Sequence, residues 1–165
     1  MKKTSVLMVC RQNICRSPMA EGLLKHRLKE AGLEKLVKVG SAGTHGDMQG
    51  SRADERACKV SLNCGVDIGR NKARKIKPRD FLKFDHILVM DQSNYQDLLQ
   101  QCPPGCVEKL ALVMSFTHED LGTDVPDPYY GNVAGFEKVF DLLGGAVDGF
   151  VAYLIKNSKH SAVTY

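Results

Sequence analysis

Val9-Cys10-Arg11-Gln12-Asn13-Ile14-Cys15-Arg16-Ser17-Pro18 joins an apolar β-type run, Ser5 to Val9, directly to a segment of helical period. Ala20, Leu23, Leu24, Leu28 and Ala31 recur at helical spacing, and Gly32 supplies a stop. Pro18 suits the first turn of that helix, where its missing N–H leaves no hydrogen bond unmade. The chain then repeats this order of strand and helix. Leu36 to Ser41, His86 to Met90 and Val107 to Val113 read as further strands. Helices are expected around Ala53 to Asn63 and Ser93 to Gln101. A last helix carries Phe136, Val139, Phe140, Leu143, Val147, Phe150, Val151 and Leu154 across Gly144-Gly145. The pattern predicts one α/β domain over residues 1–165: a four-stranded parallel sheet with helices on both faces, ending in a frayed tail over 156–165. Ligands of such sheets sit at the carboxyl ends of the strands, where the Cys10 to Pro18 loop lies.

That loop carries its own chemistry. It brings the backbone N–H groups of Arg11, Gln12, Asn13, Ile14, Cys15, Arg16 and Ser17 to a helix N-terminus, a site suited to an anion. Five residues between Cys10 and Arg16 are enough to wrap one tetrahedral oxyanion, with the Arg16 guanidinium gripping two of its oxygens. A helix N-terminus and a neighbouring Arg favour the thiolate form of a cysteine, and Ser17 is placed to donate to the sulfur. Cys10 therefore reads as a nucleophile that attacks phosphorus and forms a covalent intermediate, without a metal or cofactor. The same spacing recurs from Cys64 to Arg70, but after a helix and with Asn71 in place of the hydroxyl residue, so spacing alone does not make the site.

Ester cleavage also needs a proton for the leaving oxygen. Asp127, in Val125-Pro126-Asp127-Pro128-Tyr129-Tyr130-Gly131, is the candidate donor. Prolines stiffen the chain on both sides, and Tyr129 and Tyr130 suit the wall of an aromatic pocket. By itself an Asp-Pro pair also fits an ordinary turn.

At 43% hydrophobic and 25% charged residues, the chain can build a packed core without covalent staples. A formal net charge of +4 suits an anionic substrate. Arg70 to Arg79 (RNKARKIKPR) reads as a solvated face and not as a nucleic-acid-binding stripe. No apolar run approaches the length of a membrane span. Val6 to Val9 passes into Cys10-Arg11 with no signal-peptide cleavage site, so a cytoplasmic protein with neither membrane nor nucleic acid as partner is expected. The six cysteines form no CxxC pair and have no His cluster beside them, which argues for free thiols and against structural zinc.

Together these residues resemble the low-molecular-weight protein tyrosine phosphatases. The matching pieces are VCRQNICRSPMAE at Val9 to Glu21, VGSAGT at Val39 to Thr44, ARKI at Ala73 to Ile76, MDQSN at Met90 to Asn94 and DPYYG at Asp127 to Gly131. They stand in the family's order and span Ser5 to Leu154. The resemblance implies hydrolysis of phosphotyrosine in proteins, and of small aryl phosphates, through a cysteinyl-phosphate. It implies Cys10 as nucleophile, Arg16 as phosphate clamp and Asp127 as general acid and then base. Asn13 would brace the loop with Ser41 assisting, Ser17 would stabilise the thiolate, and Asp91 would orient Arg16. Gln12, Met48, Tyr129 and Tyr130 would border the substrate pocket. Cys15 would be a protective redox partner of Cys10, forming a reversible disulfide under oxidant; a small buried packing residue is the other reading of it. Phosphotyrosine proteins and a cognate tyrosine kinase are the implied partners of a monomer or weak dimer.

The chain also departs from the family pattern. Gln12 replaces a usual Gly and would be strained if that position needs positive φ. Asn71 stands where many members have His, and Met48 where the rim often carries a large aromatic. Two other functions compete. A thioredoxin-coupled arsenate reductase shares the fold but relays a disulfide through two further cysteines after the third strand; Cys58/Cys64 lie too early for this, and Pro103-Pro104-Gly105 between Cys102 and Cys106 argues against that pair. A catalytically impaired phosphotyrosine-binding module would not need Cys10 or Asp127.

Overall fold

A computed structural model describes residues 1–160. Strand β1 (Thr4–Cys10) leads into α1 (Arg16–Glu30), followed by β2 (Val37–Gly43), α2 (Glu55–Asn63), α3 (Pro78–Lys83), β3 (His86–Val89), α4 (Gln92–Leu99), β4 (Leu110–Leu112) and α5 (Val133–His160). The four strands are parallel, in the order β2-β1-β3-β4.

Alternation along β1 divides the interior into two layers, because successive side chains of a strand face opposite ways. Val6, Met8 and Cys10 join Leu88 and a core supplied by α1, α2 and α5, including Leu24, Val60, Phe136 and Phe150. Leu7 and Val9 join Ile87, Val89, Phe81 and Leu98 beneath α3 and α4. Cys10, the last residue of β1, therefore faces the layer that contains α1.

Three glimpses of the sequence need correction. The expected strand from Val107 to Val113 is reduced to Leu110–Leu112; Val107–Lys109 and Val113–Phe116 are 3₁₀ turns. An edge strand can extend only as far as its neighbour, and β3 offers just Ile87, Leu88 and Val89 for pairing with it. Second, α3 occupies part of a region read as a solvated face. Pro78 opens it, and the Asp80 carboxylate accepts the Lys77 N–H at 2.8 Å. Third, the tail from Lys156 to His160 continues α5; residues 161–165 lie outside the described part.

Strand β2 also runs two residues further than expected, to Gly43. A Cβ there would lie 2.7 Å from the Arg11 carbonyl oxygen and 2.9 Å from that of His45. Only glycine lets the end of β2 sit against the loop that follows β1. No helix among the described residues is long and apolar enough to cross a membrane.

Candidate active site

The loop between β1 and α1 is held from outside through its carbonyls. Thr44 N–H donates to Cys10 O, His45 N–H to Arg11 O, and Asp54 N–H to Ile14 O, all within 2.9 Å. Among the described residues, no protein acceptor takes the N–H groups of Arg11 to Ser17. A loop whose carbonyls are anchored and whose N–H groups are unclaimed at a helix N-terminus can close around an oxyanion.

Cys10 is 3% exposed, and its Sγ lies 3.1 Å from Ser17 Oγ. The Asn13 side-chain amide donates to the same hydroxyl at 2.8 Å. With that lone pair engaged, the Ser17 proton has two acceptors in reach, Cys10 Sγ at 3.1 Å and Ala42 O at 3.5 Å, of which the sulfur is the nearer. Asn13 is the one non-glycine residue with positive φ (59°) among the described residues. Its Oδ1 accepts the Arg74 N–H at 3.1 Å, and Arg74 is itself clamped by Asp80 at 2.8 and 3.2 Å. The amide so bonded on both sides fixes the unusual backbone. Gln12 is not in the left-handed region, so the strain considered for it is absent; its Nε2 donates to Asp47 Oδ2 at 2.8 Å.

Arg16 is 2% exposed, and one side of its guanidinium is anchored. Its Nη1 donates to Asp91 Oδ2 at 2.6 Å and to Val125 O at 2.9 Å, while Nη2 stands 3.7 Å from Asp127 Oδ2. Asp91 caps α4 through its other oxygen, accepting the Asn94 N–H at 2.7 Å, so a helix end fixes the carboxylate that aims the guanidinium. Burial alone would disfavour the charge on Arg16; the Cys10 sulfur, Asp91 and Asp127 outweigh it and hold the pKa above the ordinary value.

Cys10, Arg11, Gln12, Ile14, Cys15, Arg16, Met48, Asp127, Tyr129 and Tyr130 line one cavity of about 240 Å³. Asn13 and Ser17 are not among its lining residues; Ser17 contacts the sulfur and Asn13 contacts Ser17. Tyr129 and Tyr130 meet edge to face with ring centres 5.0 Å apart, and Tyr130 is 93% exposed, so neither is spent in the core. Asp127 Oδ1 accepts the Tyr129 N–H at 3.1 Å. Burial, with Asp54 next in weight, pushes the Cys15 thiol up, which keeps it protonated.

Ser41 is not where it was expected. Its hydroxyl donates to Glu21 Oε2, which also accepts Asn71 Nδ2 at 3.0 Å, so both residues serve a carboxylate on α1 and not Asn13. The backbone of Arg74 takes the bracing role foreseen for Ser41. Sequence reading missed Glu21, Arg74 with Asp80, and Asp54 with Arg56. ARKI and the run around Asp54 were visible, but a partnership made through a main-chain N–H leaves no side-chain signature.

Comparison with known proteins places this geometry in a family. The family model for low molecular weight phosphotyrosine protein phosphatase matches residues 5–160. A Drosophila melanogaster low molecular weight phosphotyrosine protein phosphatase 2 is 39% identical over 140 residues, 84% of this chain and 85% of that protein. A Streptomyces coelicolor low molecular weight protein-tyrosine-phosphatase is 36% identical over 150 residues, 89% of this chain and 91% of that one. Among solved structures, a protein tyrosine phosphatase of Entamoeba histolytica with Hepes in its active site superposes with a TM-score of 0.91 at 35% identity, covering 94% and 99% of the two chains. A parallel sheet closed by a cysteine-bearing loop, matched along nearly its whole length by these relatives, makes this chain a member of the low molecular weight phosphotyrosine protein phosphatase family.

Proposed function

We propose that this protein hydrolyses phosphotyrosine in proteins, and small aryl phosphates, through a cysteinyl-phosphate on Cys10. The observation that carries this reading is the convergence of Cys10, Arg16 and Asp127 on one cavity, with the Asn13–Ser17 relay behind the sulfur. The loop N–H groups and Arg16 hold the phosphoryl oxygens, and those oxygens compete with Asp127 for Nη2. The Cys10 sulfur supplies an electron pair to phosphorus as the bond to the phenolic oxygen breaks, and Asp127 gives that oxygen its proton. Asp127, now a carboxylate, takes a proton from water as the water oxygen attacks phosphorus. Inorganic phosphate leaves and the thiolate returns, with Ser17 donating to it. Met48, Tyr129 and Tyr130 flank the aromatic ring of the substrate.

The substrate presupposes a tyrosine kinase acting before this enzyme, and six free cysteines suit a reducing cytoplasm. Relay of a disulfide, as in an arsenate reductase, is disfavoured by position. Cys102 and Cys106 pack in the layer beneath α4, on the opposite face of the sheet from Cys10.

Rapid mixing of reduced, metal-free enzyme with an aryl phosphate and a phosphotyrosine peptide tests the mechanism. A burst of phenol, then slower phosphate release, is expected for the wild type and no burst for Cys10→Ser. Turnover by Cys10→Ser at the parent rate would remove Cys10 as the nucleophile. Saturable phosphopeptide binding by the wild type without turnover would make it a binding module.

A further inference from the structure

The loop bearing Asp127 is tied to the phosphate loop by two residues that the reaction itself does not use. Asp54 N–H donates to Ile14 O at 2.8 Å, joining the start of α2 to the phosphate loop. The Asp54 carboxylate caps α2 through the Arg56 N–H at 2.9 Å and grips the Arg56 side chain twice, at Nε (3.0 Å) and Nη2 (2.9 Å). Arg56 then reaches the other loop: Nη2 donates to Tyr129 O at 2.9 Å and Nη1 to Gly131 O at 3.1 Å. Its guanidinium carbon lies 4.4 Å from the centre of the Phe136 ring on α5, which limits its movement. The Tyr129 main chain is thus held on both sides, by Arg56 at its carbonyl and by Asp127 Oδ1 at its N–H.

We infer that Arg56 is a positioning residue for the general acid: with Asp54 it forms a strut from Ile14 to Tyr129 that sets where Asp127 stands relative to the Cys10 sulfur. The inference rests on the proposed role of Asp127. Lysine keeps the charge but cannot hold two carbonyls and a carboxylate in one plane.

A displaced acid slows only reactions that need its proton. The test therefore compares burst rate constants for phenyl phosphate, a poor leaving group, and 2,4-dinitrophenyl phosphate, which leaves without protonation. The enzymes are wild type, Arg56→Gln, Arg56→Lys and Asp127→Ala. Arg56→Gln should slow the phenyl ester about a hundredfold and the dinitrophenyl ester less than about threefold. Inhibition by inorganic phosphate should be unchanged, and Arg56→Lys should fall between wild type and Arg56→Gln. Equal losses on both esters in the Arg56 variants, or a parallel loss of phosphate inhibition, would make Arg56 a structural residue and overturn the inference, as would no loss on either ester. Asp127→Ala separates this inference from the reading beneath it. Selectivity in Asp127→Ala without selectivity in either Arg56 variant overturns the strut alone. Equal losses in Asp127→Ala overturn the acid assignment and the strut with it.

Discussion

Asn13 does two things at one position: it adopts a left-handed backbone at φ 59° and spends its amide on Ser17 and Arg74. Substitutions separate them. Asn13→Gly keeps the conformation and loses both hydrogen bonds, whereas Asn13→Ala loses the bonds and must also hold a Cβ in the left-handed region. Both should lower the burst rate by about ten- to a hundredfold, because the Ser17 proton is no longer directed at the sulfur. The alanine variant should be the less stable of the two by about 1 kcal/mol in urea unfolding. Matching rates in wild type and Asn13→Gly would reduce Asn13 to a conformational residue. At this scale the chemistry was legible and its support was not. Cys10, Arg16 and Asp127 stand out because thiol, guanidinium and carboxylate are rare company for a strand–loop–helix junction and a Pro-rich loop. Arg74 serves through its main chain, and Ser41 was drawn to a carboxylate, Glu21, that nothing in the spacing announced.

Among the elements, α5 shows why glycines in a helix need separate arguments. A Cβ on Gly149 would overlap the Phe116 carbonyl oxygen, so this glycine lets the 3₁₀ turn Val113–Phe116 close onto the helix. Gly144 has nothing within 4 Å of the same position. Gly149→Ala should destabilise the protein by about 1–3 kcal/mol through overpacking. Gly144→Ala should stabilise it by about 0.5–1 kcal/mol through helix propensity. Urea midpoints of the two variants check both signs, and a Gly149→Ala protein as stable as wild type would show that the turn yields freely. Periodicity made α1 and α5 legible despite these glycines, since their apolar stripes repeat over many turns. Helix α3, with six residues among basic neighbours, has no such repeat. Strand β4 was overextended because apolar composition cannot tell an extended residue from one in a 3₁₀ turn; the short β3 beside it decides.

For the whole molecule, acid acts on the two ends of the parallel strands in turn. His86 opens β3 at the amino ends of the strands, opposite the end that bears Cys10, half-buried against the rings of Phe150 and Tyr153 in a hollow that Lys2 also lines. Burial lowers its pKa from the ordinary 6.5, and the neighbouring Asp85 only partly offsets this. The unfolded chain therefore binds a proton that the folded one resists, so this stability is present above pH 6.5 and is lost as pH falls below it. The end that bears the phosphate loop responds later. Burial would raise the Asp80 carboxyl, but Arg74 and the Lys77 N–H outweigh it; the Arg56 hydrogen bonds hold Asp54 low. Both lie below the ordinary 3.8, so their stabilisation persists until pH falls through that range. Melting temperature should thus decline in two stages on acidification, and His86→Phe should remove the first while leaving the second. Because His86 sits at the amino ends of the strands and the site at their carboxyl ends, the variant's burst rate at each pH should match the wild type. Superimposable melting profiles of the two proteins over roughly pH 5–8 would show that His86 does not carry the first stage.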